Sequence, residues 1–288
     1  MILSGKAGVA GVMGWPVGHS RSPRLHGYWL RQYGIDGAYI PLPVAPDRIE
    51  QAIRALPALG FRGCNVTVPH KEAAFRCVDR LDEAARRMKA VNTIIVQPDG
   101  TLEGRNTDGF GFMANLSDGA PSWRADAGPA VVLGAGGAAR AVVLGLLDAG
   151  VSTVRLINRT AAKAEDLAAD LATGPATGPG GAIDVIPWDQ RGPALADAAL
   201  LVNTTTLGMQ GQPALDLDLT RLPPRSVVTD IVYTPLLTPL LLAAQARGNP
   251  VVDGLGMLLH QARPGFAAWF GQMPAVTPDL RRFVLEGL

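Results

Sequence analysis

Only two cysteines, Cys64 and Cys77, occur in 288 residues. Neither has the neighbouring cysteines or histidines at the spacing a zinc or iron site requires, so no metal is expected, and two thiols make no disulfide framework. Charge of one sign is also lacking: 26 Lys+Arg stand against 25 Asp+Glu, a formal net charge of +1, and charged residues make up only 18% of the chain. That balance leaves no basic footprint for nucleic acid and no bias toward a membrane surface. No apolar run reaches about 18 residues, and the start of the chain lacks the apolar stretch and cleavage site of a secretory signal. A cytoplasmic protein is the expectation.

What is present is a large apolar fraction, 48%, with 34 glycines and 23 prolines. Such a composition supports a sizeable core and many tight turns, as in α/β proteins with short loops. The length suits one large domain or two ordinary ones at about 100–200 residues each.

Hydrophobic periodicity predicts an α/β chain of two domains. In the first part, strands are expected at 7–13, 37–43, 63–68, 91–97 and 101–104, and helices at 23–33, 47–56, 71–78, 82–88 and 110–116. Ser22 is a candidate cap for the first helix, with Pro23 in its first turn. From residue 130 the pattern becomes strand 131–133, helix 137–149, strand 152–157, helix 160–172, then strands near 183–186, 199–203, 226–230 and 250–252. Residues 173–181 (TGPATGPGG) read as a surface loop. The segment 257–288 reads as mostly helical, interrupted by Pro264 and Pro274. The expected boundaries are 1–109, 110–253 and 254–288. The last helices are expected to return to the first domain, since the strands of the second are complete by Val252.

The most informative stretch is VVLGAGGAAR at 131–140. An apolar strand runs into Gly134, Gly136 and Ala139, the G-x-G-x-x-A spacing of a strand-to-helix turn whose backbone N–H groups approach a pyrophosphate. The next strand ends in Asn158-Arg159 without the acid that would hold a ribose 2′-hydroxyl. An arginine there suits a 2′-phosphate, so the pair of signals reads as a Rossmann-type fold that takes NADP.

Three polar clusters break the apolar pattern of the first part. In His19-Ser20-Arg21-Ser22-Pro23, two hydroxyls either face one carboxylate or simply cap a helix. Asn65 and Thr67, at period-two spacing before Pro69-His70-Lys71, either line a polar pocket or mark a solvated strand end. Asn92-Thr93 and Asn106-Thr107-Asp108 end two further apolar stretches, with Asp108 a site residue or a helix N-cap. Histidines 19, 26, 70 and 260 form no metal-site pattern.

Taken in order, HSRSP (19–23), NVTVPHK (65–71), AVNT (90–93), GRNTDGFG (104–111), GAGGAAR (134–140), NRT-x-x-K (158–163), NTT-x-x-GM (203–209), DIVYTP (230–235) and DGLGMLLHQA (253–262) cover almost the whole chain. In these motifs it resembles the NADP-dependent shikimate dehydrogenases. The resemblance implies an N-terminal α/β substrate domain, a Rossmann-type NADP domain, and reversible reduction of 3-dehydroshikimate to shikimate, with neither metal nor catalytic cysteine. It implies Lys71 and Asp108 as the catalytic pair. Ser20 and Ser22 would hold the substrate carboxylate, Thr67, Asn92, Asp108 and Gln261 the ring hydroxyls, and Tyr233 a further substrate contact. Gly134, Ala135, Gly136, Gly137 and Ala138 would form the pyrophosphate turn. Asn158, Arg159, Thr160 and Lys163 would meet the adenosine phosphate, and Ile231, Gly254 and Met257 would lie beside the nicotinamide. A monomer or homodimer is expected. The departures are Gly18 before HSRSP, Lys89 where glycine is common before AVNT, and Thr206 and Leu207 within the NTT motif. A paralogue acting on quinate or an aminoshikimate would keep the same fold and pair.

Overall fold

The computed structural model describes residues 2–172 and 181–286, so most of the expected 173–181 loop lies outside the described residues. The chain divides into two compact units, Met1–Thr107 with Gln261–Leu288, and Asp108–His260. The C-terminal return therefore falls after His260 rather than at residue 254.

The first unit is built on a mixed sheet. β1 (Gly8–Gly14) lies between β2 (Gly37–Pro43) and β3 (Phe61–Val66), parallel to both. Then come β5 (Thr93–Val96) and β6 (Leu102–Arg105), an antiparallel hairpin, and the short β4 (Arg80–Leu81) at the far edge, giving the order β2-β1-β3-β5-β6-β4. One core gathers Ile49 and Ile53 of α2 (Ile49–Ala55), Ala74 and Cys77 of α3 (Lys71–Cys77) and Ala85 of α4 (Glu83–Met88) against Met13, Cys64, Val66 and Ile94. α1 (Ser22–Gln32) brings His26 flat against Tyr39, with ring centroids 3.9 Å apart. The C-terminal segment packs with these rings: Trp29 Nε1 donates to the Ala275 carbonyl at 3.1 Å, and Trp269 Nε1 to that of Ile94 at 3.0 Å.

The second unit opens with α5 (Asp108–Gly119). Its sheet is wholly parallel, in the order β12-β11-β10-β7-β8-β9. β7 (Ala130–Leu133), α6 (Gly137–Asp148), β8 (Thr153–Ile157), α7 (Ala161–Ala172) and β9 (Ala182–Ile186) form one half. β10 (Leu200–Asn203), β11 (Val227–Asp230), α8 (Pro239–Ala246) and β12 (Val251–Val252) form the other. Strand order reverses between β7 and β10, the switch point at which open α/β sheets bind ligands beyond the strands' C-terminal ends. The inner strands β7, β10 and β11 read as near-continuous apolar runs because both their faces are covered, every residue being buried.

Four details depart from the sequence reading. The 47–56 helix divides into a 3₁₀ turn, Pro46–Arg48, and α2. Ser22 does not cap α1; Arg21 holds the N-cap position and Ser22 is the first helical residue. α8 was not anticipated, although Thr238-Pro239 is a cap followed by a first-turn proline, and the Thr238 hydroxyl does accept from the Leu241 N–H. Finally, Pro264 does not interrupt the last segment: α9 (Leu255–Phe270) runs through it, and α10 (Pro278–Leu285) follows. Proline costs a helix one hydrogen bond, but Leu259, Ala262, Phe266 and Trp269 are all buried along α9. Burial on that scale, roughly 1.5–3 kcal/mol per large side chain, outweighs the missing bond. Lys89 also gains a reason: it closes α4 in the left-handed region, φ 51°, where glycine carries no Cβ penalty.

Candidate active site

In the first unit, the polar residues at the strand ends satisfy one another. The Tyr39 phenol, reaching in from β2, opens the series. That phenol donates to Asn65 Oδ1 at 2.6 Å. Asn65 Nδ2 donates to the Asn92 carbonyl and to Thr93 Oγ1, both at 3.1 Å, and the Thr93 hydroxyl donates to Asn92 Oδ1 at 2.9 Å. Asn92 Nδ2 in turn donates to Thr107 Oγ1 at 3.0 Å, and that hydroxyl donates to the backbone carbonyl of Gln261 at 2.8 Å. The series thus runs unbroken from Tyr39 to the Gln261 carbonyl through neutral groups. Ser22, Asn65, Asn92, Thr93 and Thr107 are buried. Burial pushes the Tyr39 phenol well above its ordinary range, so it remains a donor.

The remaining expected residues of this unit sit at the margins of the network. Ser20 Oγ accepts from the Ser22 N–H at 3.3 Å. Thr67 follows β3 rather than belonging to it; it is half-buried, and its N–H donates to the Met13 carbonyl at 2.9 Å. Lys71 is the first residue of α3, half-buried, and its carbonyl accepts from the Val91 N–H at 2.9 Å, which ties it to the AVNT segment. His70, just before it, is buried with Nε2 2.7 Å from the Val44 carbonyl.

In the second unit, backbone shape replaces side chains. Gly134, at φ 112°, turns the chain out of β7; a Cβ there would stand 2.5 Å from Thr204 Oγ1. The Gly134 N–H donates to the Ile157 carbonyl at 2.8 Å, which sets the turn beside the end of β8 and hence beside Asn158. Gly136 is the N-cap of α6 and offers no side-chain bond to the helix, and nothing stands within 4 Å of a Cβ at Gly136 or Gly137. Ala135 and Ala138 are half-buried. Free N–H groups at the head of a helix with open space before them suit an anion. After β8, Asn158 Nδ2 donates to the Thr160 carbonyl at 2.8 Å, and Arg159, Thr160 and Lys163 are exposed. A glycine cradle followed by two cations fits a dinucleotide with a 2′-phosphate. Ile231 and Gly254 meet closely: a Cβ on Gly254 would collide with the Ile231 carbonyl. Tyr233 and Met257 are half-buried nearby in sequence, and Asp108 begins α5.

Lys71 and Asp108 thus belong to different units. Sequence reasoning assigned no role to Tyr39 or Thr107, which link the network, or to Asn203, Asp230 and Thr238. The signal for the last group was an acid ending an apolar strand within DIVYTP. Among the described residues, no group of three His, Cys, Asp or Glu side chains is placed to hold a metal, and no helix is long and apolar enough to cross a membrane.

A doubly wound sheet with a glycine cradle and a cationic second turn, joined in one chain to a polar α/β unit, defines a dinucleotide-dependent oxidoreductase. Residues 12–94 match the family described as shikimate dehydrogenase substrate binding domain. The chain is 64% identical over 284 residues to the shikimate dehydrogenase (NADP(+)) of Paramagnetospirillum magneticum, covering 99% of this chain and 100% of that protein. Among solved structures it resembles shikimate 5-dehydrogenase from Thermus thermophilus in complex with NADP(H) and shikimate, with TM-score 0.84, 34% identity, and 98% and 100% of the two chains covered. It also resembles quinate dehydrogenase from Corynebacterium glutamicum in complex with NAD, with TM-score 0.89, 29% identity, and 97% and 99% covered. The chain belongs to the shikimate dehydrogenase family.

Proposed function

We propose that this chain catalyses the reversible, NADPH-dependent reduction of 3-dehydroshikimate to shikimate, a step in aromatic amino-acid biosynthesis. The observation that carries the reading is the buried neutral network of the first unit, hydroxyls and amides that fix the strand ends around the polar residues assigned to a polyhydroxylated ring acid. It stands in a chain whose second unit has the cradle and cations for NADP. When bound, NADPH supplies the hydride. The Lys71 ammonium stabilises the charge developing on the reacting oxygen and gives it a proton, and takes that proton back in the oxidative direction. Asp108 accepts a hydrogen bond from the reacting hydroxyl. Ser20 and Ser22 donate to the substrate carboxylate, while Thr67, Asn92 and Gln261 fix the ring hydroxyls and Tyr233 adds a contact. Arg159 and Lys163, with Asn158 and Thr160, bind the 2′-phosphate. The reading carries with it a cytoplasmic enzyme, monomer or homodimer. The free thiols of Cys64 and Cys77, both buried in the first unit, suit a reducing compartment.

Initial rates with shikimate and with quinate, each against NADP and NAD, test the whole reading. One charged hydrogen bond at Arg159 predicts a preference for NADP of about tenfold or more. Equal efficiency with NAD overturns the cofactor assignment. Quinate oxidised as well as shikimate replaces the substrate assignment with a dual one, the alternative that the likeness to a quinate dehydrogenase favours.

A further inference from the structure

Asp230 is fully buried at the end of β11 and three neutral donors converge on its carboxyl. Asn203 Nδ2 lies 3.1 Å from both oxygens, the Val232 N–H donates to Oδ1 at 3.0 Å, and the Thr238 hydroxyl donates to Oδ2 at 2.8 Å. Asn203 and Thr238 are themselves fully buried. Burial pushes the carboxyl's pKa up, and the three donors only partly offset it. An acid in such a place is costly, and the nearby helix does not need it, since Thr238 alone caps α8.

The contacts show what the carboxyl holds. Asn203 ends β10 directly opposite Asp230 in the parallel register, and its Oδ1 accepts from the Thr205 N–H and hydroxyl. The Ile231 N–H donates to the Asn203 carbonyl at 3.1 Å, and the Gln210 N–H to the Thr234 carbonyl at 2.8 Å. Two turns, 203–210 and 230–238, are therefore knitted together at the C-terminal end of the sheet beside its switch point. Asp230 grips the second turn at both ends, through Val232 and through Thr238. Between Asp230 and the first of those grips the Ile231 carbonyl oxygen is pressed against Gly254, where only a hydrogen in place of Cβ leaves room.

We propose that Asp230 is a positioning residue for hydride transfer: through Val232 and Thr238 it holds the Ile231–Val232 backbone flush against Gly254, forming a wall for the nicotinamide. The inference rests on the assignment of Ile231, Gly254 and Met257 to the nicotinamide side. It separates Asp230 from the adenosine end, which Asn158, Arg159 and Lys163 serve after β8.

Four variants of the full chain, Asp230→Asn, Asp230→Ala, Thr238→Val and Thr238→Ser, distinguish this role from simple core packing. Each is assayed for kcat and KM with shikimate and NADP, and titrated with 2′,5′-ADP, a probe of the adenosine end alone. Asp230→Asn is expected to lower kcat about tenfold or more while leaving the 2′,5′-ADP dissociation constant within about twofold. Thr238→Val is expected to move kcat in the same direction by less, and Thr238→Ser to restore it. If the Asp230 variants do not fold, the Thr238 pair decides. Unchanged kcat, or parallel loss of kcat and 2′,5′-ADP binding, overturns the proposal, the second outcome marking a general loss of the unit. A wild-type chain that does not oxidise shikimate overturns the functional reading and this inference with it. An active wild type with fully active variants overturns the inference alone.

Discussion

In the first unit, the buried polar series is made of side chains: Tyr39, Asn65, Thr93, Asn92 and Thr107 are hydrogen-bonded in turn and end on the Gln261 carbonyl, each depending on its neighbour for a partner. In the second, the corresponding place is the turn after β7, where glycines leave space and the backbone offers its own N–H groups. On the proposed reading, one unit meets a small ring with a fixed set of donors and acceptors, and the other meets a phosphate with backbone shape whatever the neighbouring side chains. Substitutions should therefore fail differently, through lost chemistry in the first unit and through lost geometry in the second.

Lys71→Ala gives the largest effect. Removing the proposed proton donor should lower turnover by about 10²–10⁴, while shikimate affinity, read by titration, stays near its original value because the neutral network is untouched. Near-normal turnover at saturating substrate would take lysine out of the chemical step.

Gly134→Ala probes the opposite mode of failure. A Cβ meets Thr204 Oγ1 at 2.5 Å, and φ 112° is unfavourable for alanine. The cost, of order 1–3 kcal/mol, should appear as weaker NADP binding and a lower unfolding midpoint, with shikimate binding unchanged. Full NADP affinity in this variant would break the contrast drawn between the units.

Acid gives a smaller, graded comparison. Burial lowers the His26 pKa from 6.5 to about 3, and neither ring nitrogen has a hydrogen-bond partner. The unfolded chain takes up a proton below pH 6.5 that the folded unit refuses. The stability His26 contributes is complete above that pH and falls by about 1.4 kcal/mol per pH unit as acid increases toward the folded pKa. Asp230 in the second unit has the opposite sign. Its folded pKa lies above 3.8, so it binds its proton more readily folded than unfolded, and falling pH relieves the unit. Urea unfolding at pH 7 and pH 5 should show the wild type losing more stability than His26→Phe, which keeps a stacked ring against Tyr39. Equal losses would remove His26 as the acid-sensitive element.

The second unit was the more legible from sequence. A parallel sheet buried on both faces writes itself as apolar runs, and Gly134, Gly136 and Arg159 carry local signals that need no tertiary contact to be read. In the first unit, Asn65 stood out as a polar residue in an apolar strand, but its partners did not. Tyr39, Thr93 and Thr107 come from three other segments, and pairing among them is decided by sheet order. The misreadings have the same origin. Pro264 and Ser22 follow strong local rules, and tertiary burial of α9 and the actual start of α1 at Ser22 overrode them. Ordered motifs identified the family where no single motif was specific.

The edge strand β2 carries one more consequence. Val44, next after it, donates its N–H inward to the Gly14 carbonyl at 3.2 Å. By strand alternation the nitrogens of Pro41 and Pro43 face the other way, toward the open rim, where they have no hydrogen to offer. The rim is thus chemically blunt over its last half, while the inward ladder to β1 is complete. A further strand, from a second copy or from a misfolded chain, would find acceptors there without alternating donors. Over that half, the outer border of β2 is a poor template for another strand.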